Sequence, residues 1–448
     1  MQQAYFDQLA THICPTGTNP PGADRVTLSF SAESSDFIRF NHALVRQATH
    51  VDQCYGTVAV ISGRKRASST ISLSGDAVLD AAALLAERSA LLADLPFVPD
   101  DAFLTLPDTV APTARDALGE LPTPEQLIDA VAEHADGCDL VGFYAGGTVV
   151  RAFADSRDQR NWHRVQSFQL DWCLYLMDGI SRDQAVKSSY AGTHWQTAEL
   201  ARRISTGKAR LALLALPPKT LAPGAYRVYL SPVAVADLLG TLAWGGFGLK
   251  ALKTGTSTLM LAHRGQAQLS ALITLQEASL EGIAPRFQPD GVVKPERVML
   301  VRAGQVADTL SAPRSAAQYS VPTNGNNDSE SPESLHMAAG TLPDADVLQT
   351  LGTGVYIGNL HYLNYSDRQA CRMTGMTRFA CFWVENGRIV APIAVMRFDD
   401  SLLRMFGPGL VALTDTVELF PSDATYGGRQ LSSVSAPGAV VDGFALTL

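Results

Sequence analysis

Residues 361–365 read His-Tyr-Leu-Asn-Tyr, which places an imidazole, two aromatic rings and an amide directly after a predicted strand. Such a group could line a cleft, so His361, Tyr362 and Asn364 are the candidate cleft residues. A lone histidine beside aromatic residues is nevertheless more often structural than catalytic. Cys371 could serve as an activated thiol, but a buried and inert cysteine is the more frequent case.

The common catalytic motifs are absent from the sequence. It contains no Gly-x-x-x-x-Gly-Lys-Ser/Thr phosphate loop, no His-Glu-x-x-His pair and no Gly-x-Ser-x-Gly elbow. The 9 histidines are dispersed, and no two have the spacing of zinc ligands on one helix. The residues alone therefore predict a soluble two-domain protein without a recognisable active site.

Composition excludes several classes of protein. The chain has 448 residues, 46% of them hydrophobic, which is enough for two or three domains with buried cores. A net charge of -9 argues against a general nucleic-acid binder. No apolar run reaches the roughly 18 to 20 residues of a membrane span, and the first residues lack the features of a signal peptide. The 6 scattered cysteines form no Cys-x-x-Cys pair, so reduced thiols and a cytoplasmic location are expected.

The order of predicted elements indicates an α+β fold. Period-two alternation predicts a strand over residues 25–32, and residues 55–73 read as a hairpin with its turn near Gly63. Helices are predicted over residues 76–92, 123–134 and 197–204, the second with Thr123 as its cap. Residues 208–216 either extend the third helix or follow it. Residues 139–154 have β character, with a turn predicted at Gly146-Gly147.

The kind of predicted secondary structure changes near residue 220. One helical segment, residues 233–244, is followed by many short β runs separated by turns, which is typical of a sandwich or open barrel. The polar residues 324–334 are expected to form a mobile loop. We therefore predict an N-terminal α/β domain, residues 1–220, with an antiparallel sheet and packed helices, and a mostly-β domain, residues 221–448.

Three segments, in this order along the chain, resemble the TldD/PmbA family of peptidase subunits (peptidase U62-like). Residues 37–69 are similar to the family's opening hairpins, and residues 224–232 to the strand before its central helix. The most specific segment is residues 382–392, Phe-Trp-Val-Glu-Asn-Gly-Arg-Ile-Val-Ala-Pro, which closely resembles the family's run at this place.

The resemblance also bears on metal binding. Zinc-bearing members carry His-Glu, three residues and a second His on the central helix, followed by Gly-Thr-Ser. This chain keeps Gly-Thr-Ser at residues 255–257, and a gap-free alignment puts Gly240, Thr241 and Gly245 at the His, Glu and second His positions. Glycine offers no ligand and threonine no carboxylate base. Zinc-bearing members also use a cysteine near the C-terminus, whereas the last cysteine here is Cys381. The resemblance therefore implies a PmbA/TldE-type subunit that binds neither metal nor other cofactor.

Family members of this type pair with a zinc-bearing TldD-type subunit and line a chamber that holds extended peptides, in part by strand pairing. The resemblance thus implies a non-catalytic subunit of a peptidase heterodimer, whose C-terminal domain is a degenerate metallopeptidase domain. An alternative is a homodimeric peptide-binding or scaffold protein without peptidase activity. A weaker alternative is a metal-independent enzyme that uses His361 or Cys371. Neither nucleic acid nor a membrane is expected as a partner.

Overall fold

The computed structural model describes residues 3–177 and 184–447. Helices in this part of the chain vary from one turn to five turns. They are α1 (Gln3–Ile13), α2 (Ala77–Asp94), α3 (Pro124–His134), α4 (Thr197–Leu214), α5 (Pro232–Leu242), α6 (Leu249–Lys253), α7 (Met260–His263), α8 (Pro313–Tyr319), α9 (Val347–Leu351) and α10 (Leu402–Met405).

The first part of the chain forms a seven-stranded sheet in the order β3-β2-β1-β5-β6-β4, with β7 also paired to β6. Its strands are β1 (Arg25–Asn41), β2 (Leu44–Ser62), β3 (Lys65–Ser72), β4 (Thr113–Ala117), β5 (Asp139–Asp155), β6 (Arg160–Tyr175) and β7 (Ala185–Gly192). All neighbours are antiparallel except β4 and β6.

Local capping explains where two of the helices begin. The side chain of Asp76 accepts hydrogen bonds from the second and third backbone N–H groups of α2. In front of α3, Thr123 and Gln126 form the reciprocal capping box that the sequence predicts, with Pro124 at the first helical position.

Helices cover one face of this sheet. Alternate residues in the N-terminal part of β1 pack against α1 and α2, in a core that includes Phe6 and Leu84. Alternate residues near the C-terminal end of β1 pack against α3 and α4, in a second core that includes Leu127 and Ile204. The opposite face meets the C-terminal part of the chain, where Val149 and Val165 contact Ile283 and Leu431. The sheet therefore lies between these helices and the C-terminal part of the chain.

The C-terminal part contains two further sheets, ordered β11-β10-β9-β12-β21-β20 and β14-β15-β18-β22-β8-β13-β16-β17, with β19 paired to β22. Their strands are β8 (Gly224–Leu230), β9 (Leu275–Ala278), β10 (Arg297–Arg302), β11 (Gln305–Val306), β12 (Ser334–Met337), β13 (Gly354–Ile357), β14 (Leu360–Asp367), β15 (Arg372–Thr377), β16 (Cys381–Glu385), β17 (Arg388–Pro392), β18 (Arg397–Ser401), β19 (Leu410–Leu413), β20 (Glu418–Pro421), β21 (Ser433–Ala436) and β22 (Ala439–Leu446).

The predicted α+β fold is confirmed, with an antiparallel N-terminal sheet and a mostly-β C-terminal part. Residues of α5 lie within the largest hydrophobic core, together with residues from both C-terminal sheets. The boundary between domains near residue 220 stays a prediction. Within residues 3–177 and 184–447, no helix is both long and apolar enough to span a lipid bilayer.

Two local expectations need correction. The predicted turn at Gly146-Gly147 is wrong, because β5 passes through both glycines without a break and pairs on both edges. A side chain at Gly147 would place its Cβ 2.1 Å from the carbonyl oxygen of Ser34. Residues 324–333 do form a loop, but it is packed rather than solvated, since Asn326 and Glu330 are buried.

Candidate functional site

A cavity of about 1330 Å³ lies between the seven-stranded sheet and the C-terminal elements. Residues from β6, β7, α4, α5, β14 and β20 line it. Sites for small molecules usually occupy roughly 300–1,000 Å³, so the size of this cavity suits an extended peptide better. The wall contributed by α5 carries Gly240 and Thr241, two of the three positions at which the family alignment leaves out a zinc site.

α5 is almost entirely buried, which explains its apolar sequence. Ser231 caps it by accepting a hydrogen bond from the backbone N–H of Ala234, and its hydroxyl also donates to the carbonyl oxygen of Gly358 at 2.7 Å. Pro232 occupies the first helical position, where no N–H is needed. Because α5 follows β8 almost directly, it lies within the core, and one side of the helix faces the cavity.

The three expected ligand positions lie along and just beyond α5. Gly240 lines the cavity, and a Cβ added there would meet no atom within 4 Å. The Thr241 hydroxyl donates a hydrogen bond to the carbonyl oxygen of Asp237, 3.0 Å away in its own helix. Gly245 lies beyond the last helical residue, with a positive φ of 80° that disfavours side chains.

These residues do not fit a catalytic zinc ion. The two glycines have no ligating side chain, and the threonine hydroxyl is bonded within its own helix. Among the described residues, no three His, Cys, Asp or Glu side chains are grouped so that they could hold a metal ion. Cys381 is buried on β16, where burial raises the pKa of its thiol to about 11.

Two of the three candidate cleft residues line this cavity. His361 is half-buried, and its Nε2 lies 2.6 Å from a guanidinium nitrogen of Arg378. Because guanidinium can only donate, Nε2 must accept, which places the imidazole proton on Nδ1. Tyr362, 77% exposed, lies against the histidine with ring centroids 4.3 Å apart.

The other candidates lie elsewhere. Asn364 is exposed and is not part of the cavity wall, and its side-chain oxygen accepts a hydrogen bond from the backbone N–H of Tyr365. Cys371 is fully buried, and burial raises the pKa of its thiol to about 12. Such a thiol stays protonated near neutral pH, so it is a poor candidate nucleophile.

Charged residues that belong to none of the sequence motifs line two sides of the cavity. On α4, Arg203 donates hydrogen bonds to Glu418 and to Glu199, while Arg210 donates to the Tyr356 hydroxyl at 2.7 Å. Asp237 on α5 lies on another part of the wall. Asp237 is the single charged residue of an otherwise apolar helix, and this contrast could have marked it in the sequence.

Asp237 should make the stability of the protein depend on pH. Burial raises the pKa of its carboxyl to about 6, with Asp423 adding to the rise and Lys187 opposing it. Because the folded pKa lies above the unfolded one, ionisation destabilises the fold as pH rises from about 4 to above 6. We expect Asp237→Asn to raise the free energy of unfolding by about 1–3 kcal/mol at pH 8, and to change it little at pH 4. Denaturant unfolding of both proteins across this range measures the effect, and an equal change at the two pH values would contradict it.

A match to a protein-family model identifies the family of this chain. Residues 223–447 match the model of the PmbA/TldA metallopeptidase C-terminal domain, which is half of the chain. The chain belongs to the TldD/PmbA family. The resemblance inferred from residues 224–232 and 382–392 is therefore confirmed at the level of the family.

Solved structures agree with this fold. TldE from Thermococcus kodakarensis superposes with a TM-score of 0.79 at 11% identity, over 95% of this chain and 97% of that one. A proposed modulator of a DNA gyrase from Thermotoga maritima gives a TM-score of 0.74 at 14% identity, over 99% of both chains. A similar protein from Bacteroides thetaiotaomicron gives 0.73 at 15% identity, over 99% of this chain and 97% of that one. No curated protein sequence matches. At these identities the likeness to the three structures extends to the fold alone.

Proposed function

We propose that this chain is a non-catalytic, PmbA/TldE-type subunit that lines a peptide chamber, while a zinc-bearing TldD-type partner supplies the hydrolysis. The observation that carries the proposal is the composition of the cavity wall on α5. Gly240, the first expected ligand position, faces the cavity without a side chain, and Gly245 lies beyond the helix. A family member built in this way retains the chamber but has no metal ligands at these positions.

Strand β14 supports a role in holding peptides. It is the terminal strand of the nine-stranded sheet, and His361 and Tyr362 on it line the cavity. An extended peptide can add to such a strand edge through main-chain hydrogen bonds, with little dependence on its sequence. The Tyr365 hydroxyl donates to the carbonyl oxygen of Thr241, 3.0 Å away, which ties this strand to α5. In the proposed role, β14 and α5 together hold the peptide in position for the partner.

The first test compares the isolated chain with the assembled pair. We expect the purified chain to contain no stoichiometric zinc and to cleave no unstructured peptide, and activity to appear when a TldD-type subunit is added. Metal analysis and a fluorescent peptide assay measure both. Stoichiometric zinc in the isolated chain, whose removal abolishes a peptidase activity of this chain, would overturn the proposal.

A second test asks whether the cavity of this chain contributes to that activity. Gly240→Leu would extend a side chain into the open space beside the helix and should lower peptide cleavage by the assembled pair by roughly tenfold, an effect equivalent to about 1.4 kcal/mol. Gly240→Ala is the matched control, because it improves helix propensity but leaves most of the cavity open. Equal activity of the two variants would show that peptides do not use this wall.

A further inference from the structure

Strand β14 contains a bulge at the point where it reaches the cavity. Its pairing with β15 is regular at His361 and resumes at Asn364, and the two residues between them lie across from Gly375 alone. Tyr362, the first of these two, adopts a positive φ of 53°. This backbone conformation costs free energy for a residue that is not glycine. Bulges are frequent next to functional sites, where they change the direction of a side chain.

The sequence accommodates this bulge with a glycine on the neighbouring strand. A Cβ added at Gly375 would lie 2.8 Å from Cδ2 of Leu363 and 2.7 Å from the Phe398 ring. Leu363, the second residue of the bulge, packs against the hydrophobic core of the C-terminal part. The packing around Gly375 and Leu363 thus fixes the bulge and holds Tyr362 in its strained conformation.

The bulge directs two consecutive side chains into the same cavity. Successive residues of a regular strand point to opposite faces of the sheet. Here His361 and Tyr362 both line the cavity, and their ring centroids lie 4.3 Å apart. The imidazole is held in turn by Arg378, whose guanidinium nitrogen lies 2.6 Å from Nε2. His361 therefore supports the Tyr362 ring from one side.

The Tyr362 ring remains exposed within the cavity. Tyr362 is 77% exposed, whereas Tyr229 and Tyr356 on the same wall are 5% and 7% exposed. Exposure of an aromatic ring to water and a strained backbone both cost free energy. A ligand that covers the ring would recover the first of these costs, so the arrangement favours binding of an apolar group at this point.

We infer that Tyr362 is a specificity-determining residue, which binds an aromatic side chain of a peptide held along β14. This role rests on the proposed function, in which the cavity holds peptides. Two aromatic rings in offset or edge-to-face contact stabilise each other beyond the effect of burial alone. A lysine or arginine side chain is disfavoured here, because it would approach the guanidinium of Arg378 beside His361. Main-chain pairing accepts most sequences, and Tyr362 adds a preference for an aromatic residue at one position of the peptide.

Peptide binding to the isolated chain tests this preference without any requirement for hydrolysis. Two fluorescent, unstructured peptides that differ only in a central phenylalanine or leucine are titrated with the chain, and anisotropy gives their dissociation constants. We expect the phenylalanine peptide to bind roughly fivefold more tightly, as for one additional aromatic pair. Tyr362→Leu should abolish this difference, and Tyr362→Phe should retain it, because the phenyl ring makes the same contact.

Two other exposed aromatic residues make the assignment specific. Phe97 is 86% exposed and lies outside the cavity wall, so Phe97→Leu should leave the preference for phenylalanine unchanged. Trp244 is 59% exposed and lies on the cavity wall. Loss of the preference in Trp244→Leu, together with its persistence in Tyr362→Leu, would overturn the assignment to Tyr362.

The outcomes separate this inference from the proposed function. Equal binding of the two peptides to the unmodified chain would overturn the role of Tyr362 and leave the proposed subunit role intact. A preference for phenylalanine in a chain that does not support cleavage by a TldD-type subunit would support the role of Tyr362 and contradict the proposed function. Binding of neither peptide would contradict both.

The backbone strain at Tyr362 provides an independent test. Asparagine adopts a positive φ more readily than tyrosine, so Tyr362→Asn should raise the urea midpoint of unfolding while it removes the preference for phenylalanine. A lower midpoint, which would show that the tyrosine ring serves the fold, or a preference that persists in Tyr362→Asn, would overturn the inference.

Discussion

Arg429→Met should lower the free energy of unfolding by about 3–5 kcal/mol. Arg429 is 7% exposed and reaches from the segment between β20 and β21 into the N-terminal sheet. Its guanidinium donates hydrogen bonds to the carbonyl oxygen of Gly147 at 3.2 Å, and to the carbonyl and hydroxyl oxygens of Ser167, both at 2.8 Å. Gly147 and Ser167 are cross-strand partners, so one side chain binds two strands of the sheet.

The expected loss is large because the groups left behind are buried. Glu33 is also buried, accepts a hydrogen bond from the backbone N–H of Arg429 at 3.1 Å, and is a charged neighbour of the guanidinium. Without the guanidinium, the Glu33 carboxylate would lose its nearby positive charge and the two carbonyl oxygens would lose their hydrogen-bond donor. A buried charge without a partner is strongly destabilising.

Two further variants make the measurement specific. Arg429→Lys keeps the positive charge but not the planar set of hydrogen-bond donors. Its free energy of unfolding should lie between those of the unmodified chain and Arg429→Met. Arg302→Met, at an exposed position on β10, should change the free energy of unfolding by less than about 0.5 kcal/mol. Urea unfolding measures all three, and an Arg429→Met protein as stable as the Arg302→Met control would contradict the prediction.

Lys294→Met should destabilise the fold by about 3 kcal/mol near neutral pH, and by less in mild acid. The Lys294 side chain is 2% exposed and forms ion pairs with Glu333 and, at 3.8 Å, with Glu277. Burial raises the pKa of Glu277, and Lys294 opposes this rise. Removal of the ammonium should therefore raise the pKa of Glu277 further.

The pH dependence follows from the sign of this shift. A carboxyl whose pKa is higher in the folded than in the unfolded state destabilises the fold as pH rises above the unfolded value, about 4.3. The difference between Lys294→Met and the unmodified chain should thus be small near pH 4 and grow towards pH 8. The double variant Lys294→Met/Glu277→Gln should recover part of the loss, because it removes one uncompensated carboxylate. A loss that is independent of pH, without recovery in the double variant, would contradict this explanation.

Elements with strong local signals could be predicted from the sequence. The capping box of Thr123 and Gln126 depends on residues three apart, and it forms as predicted. The turn at Gly63 lies between two runs whose β pattern is local, and β2 and β3 form the expected hairpin around it. In these cases the interacting residues lie within a few positions of each other, so the local sequence is enough to predict the structure.

Elements whose structure depends on distant strands could not be predicted in the same way. Gly146 and Gly147 resemble a turn locally, yet β1 and β6 pair with both sides of β5 there and keep the strand extended. The sequence predicts Asn364 beside His361 at the cleft, but the register of β14 shifts between these residues, and Tyr362 has a positive φ of 53°. This irregularity breaks the alternation of side chains and leaves Asn364 outside the cavity wall.

The sequence by itself determined which atoms are available at the expected metal positions. Gly240 and Gly245 have no side chain that could ligate zinc in any fold, because this follows from the identity of the residues. Only the tertiary structure decided that Gly240 faces an open cavity, that His361 and Asp237 share its wall, and that Arg429 and Lys294 are buried beside carboxylates. The physical reason is that burial and the approach of charges depend on strands and helices distant in the chain, whose packing no local pattern encodes.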